Sequence, residues 1–272
     1  MTACPQDIDE AGAPKLTVLV VGATGSIGRL VVAEALRKGH AVRALVRDAE
    51  RVRGLPPEAQ FVVGDLTRAE TLAAAVEGIT AVVFTHGSSG GGKAGAEQVD
   101  YGAVRNVLRA LAGRPVRVAL MTAIGVTNRE GAYNRSTQIH DWKRRGERLV
   151  RASGLPYTIV RPGWFDYNAP DQHRLVFLQG DKRHAGDPSD GVIARKQIAQ
   201  VLVHSLTSDA ARAKTFELVA ERGPAQKHLD PLFAALDADA SGDIDAVRDT
   251  ANMPLSGEPA PVRADLEQLS AR

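Results

Sequence analysis

Three glycines, Gly22, Gly25 and Gly28, follow directly on the apolar run Leu16 to Val21. Behind them comes an amphipathic segment with Ile27, Leu30, Val31 and Ala35 at helical spacing. A strand, a tight glycine turn and a helix in that order present bare backbone N–H groups to a pyrophosphate at a helix N-terminus. Within LTVLVVGATGSIGR (Leu16–Arg29), Gly22 permits the turn and Gly25 lets the backbone approach a phosphate. Gly28 lets the helix pack close to the strand. The stretch Gly22, Ala23, Thr24, Gly25, Ser26, Ile27 and Gly28 is therefore the first candidate cradle, for a dinucleotide. An ordinary glycine-rich β–α turn is the plainer alternative, and the strand–turn–helix context weighs against it.

A dinucleotide's adenine ribose is read at the end of the second strand, by an acid on a 2′-hydroxyl or by a base on a 2′-phosphate. Here the strand Ala41–Val46 is followed by Arg47, with Asp48 one position later. A guanidinium forks onto a phosphate, so Arg47 points to NADP(H); a solvated surface arginine is the plainer reading. Arg43 faces the other way if the strand alternates. Asp65, with Leu66 beside it after the third strand, is placed to reach an adenine amino group. Its plainer role is to cap the helix that follows, a role Thr67 fills as well.

The elements that must position these residues alternate along the chain. Strands are expected at Ala41–Val46, Phe61–Gly64, Ile79–Thr85, Val116–Thr122 and Tyr157–Val160, after the first at Leu16–Val21. Helical patterns lie between them at Arg68–Glu77, Ala94–Leu111 and Gln138–Ser153. Continuous apolar strands alternating with helices imply a parallel sheet covered on both faces. The expected fold is an α/β, Rossmann-like, doubly wound parallel sheet, with ligands at the carboxyl ends of the strands. Beyond Pro162 the pattern loosens: strands are expected at Leu175–Leu178 and Thr215–Val219, and a helix at Arg195–Leu206. These are expected to form a small C-terminal substrate lobe over the cleft, about residues 163–236. Residues 15–236 then make one domain, preceded by a mobile leader (1–14) and followed by a polar tail (237–272) that frays.

Composition narrows the partners. Of 272 residues, 44% are hydrophobic and 24% charged, and the net charge is +2, so there is no electrostatic case for nucleic acid. No apolar run reaches a membrane span, and the N-terminus lacks the basic start and apolar core of a signal peptide. The single cysteine, Cys4, rules out an intrachain disulfide. A cytoplasmic protein with a small-molecule substrate is the default. Surface helices of this fold can pair into a homo-oligomer, and nothing in the sequence fixes which.

Taken together, GATGSIGR, VRALVRD, VGDL and SGLPYTIVRPGWF resemble the atypical short-chain dehydrogenase/reductases, the NmrA-like NAD(P)-binding group, over about residues 15–220. The resemblance implies NADP bound across the strand ends, with Thr85, His86 and Gly87 along the ribose path. It also implies a catalytic Tyr with a Lys four residues on, and a Ser or Thr that orients a substrate carbonyl. Lys143 matches the lysine and Thr122 the Ser/Thr, but Ile139 stands where the Tyr belongs. Tyr133, in the preceding loop, and His140, beside the vacant position, are the candidate proton donors. In their plainer readings they are a loop residue and a half-exposed helix residue. Lys143 then serves the nicotinamide ribose. Trp164 and Phe165, past the RPG turn, are candidates for an apolar substrate wall or for lobe packing.

Two motifs imitate other sites. Gly87 to Ala94 nearly spells a P-loop, but Ala94 replaces the hydroxyl that holds magnesium, so a mobile loop is expected. Asp237, Asp239, Ser241, Asp243 and Asp245 imitate a calcium loop, but Arg248 replaces its closing glutamate. A solvated turn is expected there, and no metal. The expected function is an NADP-dependent reductase of a small carbonyl or quinone-like molecule, with hydride transfer from the nicotinamide. The alternative is a non-catalytic NADP(H)-sensing protein. An epimerase or dehydratase is a weaker third, since it needs the full Tyr–Lys pair.

Overall fold

A computed structural model describes residues 14–88 and 90–271. The expected leader up to residue 13, Cys4 included, and Ser89 of the glycine loop lie outside the described residues. The chain begins with β1 (Thr17–Val21), α1 (Ser26–Arg37), β2 (Ala41–Val46), β3 (Gln60–Val63), α2 (Ala73–Val76) and β4 (Ala81–Phe84). A long helical stretch follows: α3 (Gly92–Gly95), a π-helical segment (Ala96–Tyr101) and α4 (Gly102–Leu111). Then come β5 (Arg117–Met121), α5 (Ala132–Thr137), α6 (Ile139–Ala152) and β6 (Tyr157–Pro162).

These six strands are parallel and lie in the order β3-β2-β1-β4-β5-β6. The order reverses between β1 and β4, which opens a crevice at their carboxyl ends. Alternation along β1 divides the core. Val18 and Val20 face α1, while Leu19 and Val21 join the residues of α4 and α6 on the other side. Strands β4, β5 and β6 and all of β1 but Thr17 are buried on both faces, as a helix-covered parallel sheet requires, while the edge strand β3 exposes Phe61 and Val63.

The C-terminal lobe begins with β7 (Trp164–Phe165), β8 (Arg174–Leu178), β9 (Val192–Ile193), α7 (Arg195–Ser205) and β10 (Lys214–Glu221). It is not held off the sheet. β10 pairs parallel with β6 and antiparallel with β8 and β9, so the sheet runs to ten strands. Phe216, Leu218 and Ala220 fill one face of β10, Thr215, Glu217 and Val219 lie buried on the other, and pairing on the β6 edge satisfies its backbone.

The tail after about residue 237, expected to pass from ordered to frayed, is packed through residue 271. After α8 (Asp230–Ala234), the chain crosses α6 and ends in α9 (Ala260–Ser270), whose Val262, Leu266 and Leu269 are buried with Leu108, Leu111 and Leu149. Asp265 accepts hydrogen bonds from the Tyr101 hydroxyl (2.6 Å) and Arg109 (2.6 Å). The acids of the calcium-like run do not converge: Asp239 pairs with Arg151, and Asp245 with Arg144 and Arg148. Among the described residues, no helix is long and apolar enough to cross a membrane.

Candidate functional site

At the mouth of the crevice, Gly22 has φ +86°, and a methyl group there would sit 2.8 Å from the His86 backbone nitrogen. A methyl on Gly28 would sit 2.0 Å from the Gly22 carbonyl oxygen, so only glycine allows α1 to seat on β1 at this point. Gly25 is the N-cap of α1 and provides no side-chain cap, and the first turn carries no acid. The leading N–H groups of α1 have no intrahelical partner, and Gly25 and Ser26 are exposed. This is a cradle for an anion, and the residues present fit a dinucleotide pyrophosphate. Ala23 and Ile27 point into the core, so their side chains support the turn from behind. Arg29 braces it by donating to the carbonyls of Thr24 (3.0 Å) and Arg53 (2.7 Å).

Four basic and acidic groups compete for roles at the ends of β2 and β3. Arg43 is spent on backbone carbonyls, including Ala74 and Ala75 at 3.2 Å. Asp48 caps the next turn through the Glu50 N–H (2.9 Å). Arg47 is exposed and makes no hydrogen bond among the described residues, so its guanidinium is free to meet a ligand. Asp65 accepts from the backbone N–H and the hydroxyl of Thr67, and these bonds hold its carboxyl below the usual range. One carboxylate oxygen thus serves the turn and the other remains. Leu66 is half-buried on the core, and its carbonyl accepts from Asn106 (2.8 Å).

Along the expected ribose path only Gly87 is exposed. The Thr85 hydroxyl donates to the Val21 carbonyl (3.0 Å), tying β4 to the glycine turn. The His86 ring lies inside, edge-on to Phe84, with Nδ1 lacking a partner. Burial and the nearby Lys143 charge push it down to about 4, so it is neutral at pH 7. Thr85 and His86 therefore shape this path through their backbone.

Lys143 projects from α6 to Asp100, and Nζ donates to Oδ1 at 2.6 Å. The same carboxylate accepts from the Ser88 hydroxyl through its other oxygen. Asp100 sits in the π-helical segment, whose wider turn re-aims a side chain locally. The segment from Gly87 to Ala94, expected to be a mobile loop, is pinned at Ser88 to the Lys143 face of α6. Neither Ser88 nor Asp100 was singled out from the sequence, and the π-turn that unites them has no periodic signal.

The other candidates are brought together less closely. The Thr122 hydroxyl donates to the buried Glu147 (2.7 Å), so its proton is committed inward. Glu147 also accepts two hydrogen bonds from Arg161, at 3.0 and 2.7 Å. Burial alone would raise its pKa, but Arg161 and Arg151 bring it down to about 2. Tyr133, on α5, is exposed, with its ring 5.4 Å from that of His140. Burial lowers the His140 pKa, which makes it a poor acid at neutral pH. Trp164 is half-buried edge-on to Tyr167, whereas Phe165 packs against the core under the Arg195 guanidinium. Of the expected substrate wall, Trp164 faces outward and Phe165 belongs to lobe packing.

Comparisons with known proteins bear on the family and the fold. A family described as NAD(P)H-binding matches residues 22–209. The chain is 31% identical over 224 residues to the uncharacterized sugar epimerase YhfK of Bacillus subtilis, covering 80% of this chain and 100% of that one. It is 27% identical over 263 residues to sanguinarine reductase of Eschscholzia californica, covering 81% and 96%. Among solved structures, a putative NAD-dependent epimerase/dehydratase from Bacillus halodurans superposes with a TM-score of 0.64 at 24% identity. It covers 81% of this chain and 100% of that one, and it speaks to the fold.

Proposed function

This chain belongs to the NAD(P)H-binding family, and from that premise we propose that it is an NADP(H)-dependent reductase of a small carbonyl or quinone-like molecule. The observation that carries this reading is the uncapped, exposed N-terminus of α1 beside Arg47, whose guanidinium is free. The backbone N–H groups of Ser26, Ile27 and Gly28 would hold the pyrophosphate, Arg47 the 2′-phosphate and the free oxygen of Asp65 the adenine. When bound, the nicotinamide supplies the hydride. Lys143, fixed by Asp100, presents a charged donor to the ribose hydroxyls. Thr122 keeps a lone pair but commits its proton to Glu147, which makes it a positioning residue of the β5 loop.

The proton has to come from a group other than residue 139. Ile139 has no proton to give and His140 is held neutral, so the Tyr133 hydroxyl or water at the cleft mouth serves. Trp164 and Tyr167 offer an aromatic surface to a planar substrate. The test is NADPH oxidation with a panel of quinones and carbonyl compounds. Turnover with any of them supports the reductase. Tight NADPH binding with no turnover across the panel would favour a non-catalytic NADP(H) sensor, the reading that Ile139 and the Lys143–Asp100 pair support.

A further inference from the structure

A cavity of about 350 Å³ lies between the end of β8, the loop after it, β10 and the C-terminal segment. Its apolar wall includes Ile124, Phe177 and Leu236, and three cations line it: Lys182, Arg183 and Arg248. Arg248 is paired with Asp237. Arg183 donates to the Asp190 carbonyl (3.1 Å), and Lys182 makes no hydrogen bond or ion pair among the described residues. The lining contains one carboxyl group, Glu217. Burial raises its pKa to about 8, with Arg161 opposing and Asp181 and Asp249 adding to the rise. Arg161 already holds Glu147 and Asp249 at 2.7 to 3.0 Å and reaches Glu217 only at 3.5 Å, so the third acid keeps its proton. At pH 7 the cavity therefore carries uncompensated positive charge against an apolar wall.

Ligand sites are typically concave and about 300–1,000 Å³, with polar groups that fix orientation, and this one is lined about equally by apolar and by polar or charged residues. We propose that this cavity binds a small organic anion, an apolar body bearing a carboxylate or phosphate, with Lys182 and Arg183 on the anionic group. The cavity adjoins the loop that follows β5. The Ile124 N–H donates to the Pro162 carbonyl (3.0 Å), and Asp181 accepts from the Gly125 N–H (2.6 Å) while donating its own N–H to Glu217 (3.1 Å). Anion binding here needs no cofactor, so it stands or falls apart from the reductase reading.

The test is a calorimetric or ligand-observed NMR titration of the full chain with benzoate, phenyl phosphate, neutral benzamide and inorganic phosphate. The wild type is compared with Lys182→Glu, a change at a side chain that holds nothing in the fold. Benzoate or phenyl phosphate should bind about tenfold or more tighter than both benzamide and inorganic phosphate, and the variant should lose about tenfold. Parallel NADPH titrations should be alike in both proteins, and failure of NADPH to bind either would count against the reductase alone. Equal binding of benzoate and benzamide, no binding of either aromatic anion, or an unaffected variant overturns the proposal.

Discussion

Lys143 Nζ and Asp100 Oδ1 stand 2.6 Å apart, with the carboxylate side chain 1% exposed and the lysine 14%. The pair joins α6 to the π-helical segment and, through Ser88, to the glycine loop. Removing one partner of a buried pair leaves the other charge without a counterion, which costs about 3–5 kcal/mol. We expect Lys143→Met to approach the lower end of that range in urea unfolding, since the lysine keeps some solvent. Lys143→Met with Asp100→Asn should be clearly less destabilised than the single variant. A double-mutant cycle with no coupling would show that the pair contributes nothing.

Gly28→Ala puts a methyl 2.0 Å from a carbonyl oxygen that the turn cannot move without displacing β1. Overpacking of this kind costs about 1–3 kcal/mol or more. The expected outcome is a lower melting temperature together with loss of NADPH binding. Gly113→Ala, at a site where φ is +79° and a methyl meets no atom within 4 Å, adds backbone strain without a clash and should keep NADPH binding, so loss of binding in Gly28→Ala alone marks the contact at the turn.

Arg161 holds Glu147 and Asp249 at once, and all three are essentially buried. Asp249→Asn leaves the guanidinium with one close carboxylate and draws on Glu217 at 3.5 Å. We expect a loss of about 3 kcal/mol in equilibrium unfolding and a Glu217 that ionises at lower pH. A loss under about 0.5 kcal/mol, the range of ordinary surface changes, would mean that the C-terminal segment is not held through this contact.

Glu217 has an ordinary value of 4.5 and is raised to about 8 in the fold. The folded state therefore binds more protons between these values, and the contribution to stability is full below about 4.5 and lost as pH rises toward about 8. Glu217→Gln, which stays neutral, should gain on the wild type between about pH 5 and pH 8 and hold that gain above. Arg161, Asp181 and Asp249 face this group and set the balance. A stability difference that is flat with pH would show that the carboxyl is ionised in the fold.

The doubly wound core was legible because its signals are local: apolar strands, helical spacing and a glycine turn whose steric demand is written in three residues. The uncapped turn at α1 was legible by the same logic. Three features escaped because they depend on long-range pairing. β10 reads as one more apolar strand, and only the open β6 edge makes it part of the main sheet. The Asp100–Lys143 contact needs a π-turn that periodicity does not announce. The acidic run after residue 237 resembles a solvated tail until it is set against α6. There Arg144, Arg148 and Arg151 recur on one face, and all three are buried. Arg144 and Arg148 have no acid at i+4 spacing, whereas Arg151 has Glu147, and those two arginines were the available signal that a distant acidic segment must cover this face.

We propose that NADP(H) binds at the α1 turn with its 2′-phosphate on Arg47. This binding mode is tested most directly by titrating wild type and Arg47→Ala with NADPH and with NADH, by calorimetry or fluorescence. The wild type should prefer NADPH. Arg47→Ala should weaken NADPH by about ten- to a hundredfold, the loss of a charge-assisted contact of about 1.5–3 kcal/mol, and leave NADH nearly unchanged. Equal loss for both nucleotides would contradict the assignment of Arg47, and no binding of either by the wild type would contradict the account as a whole.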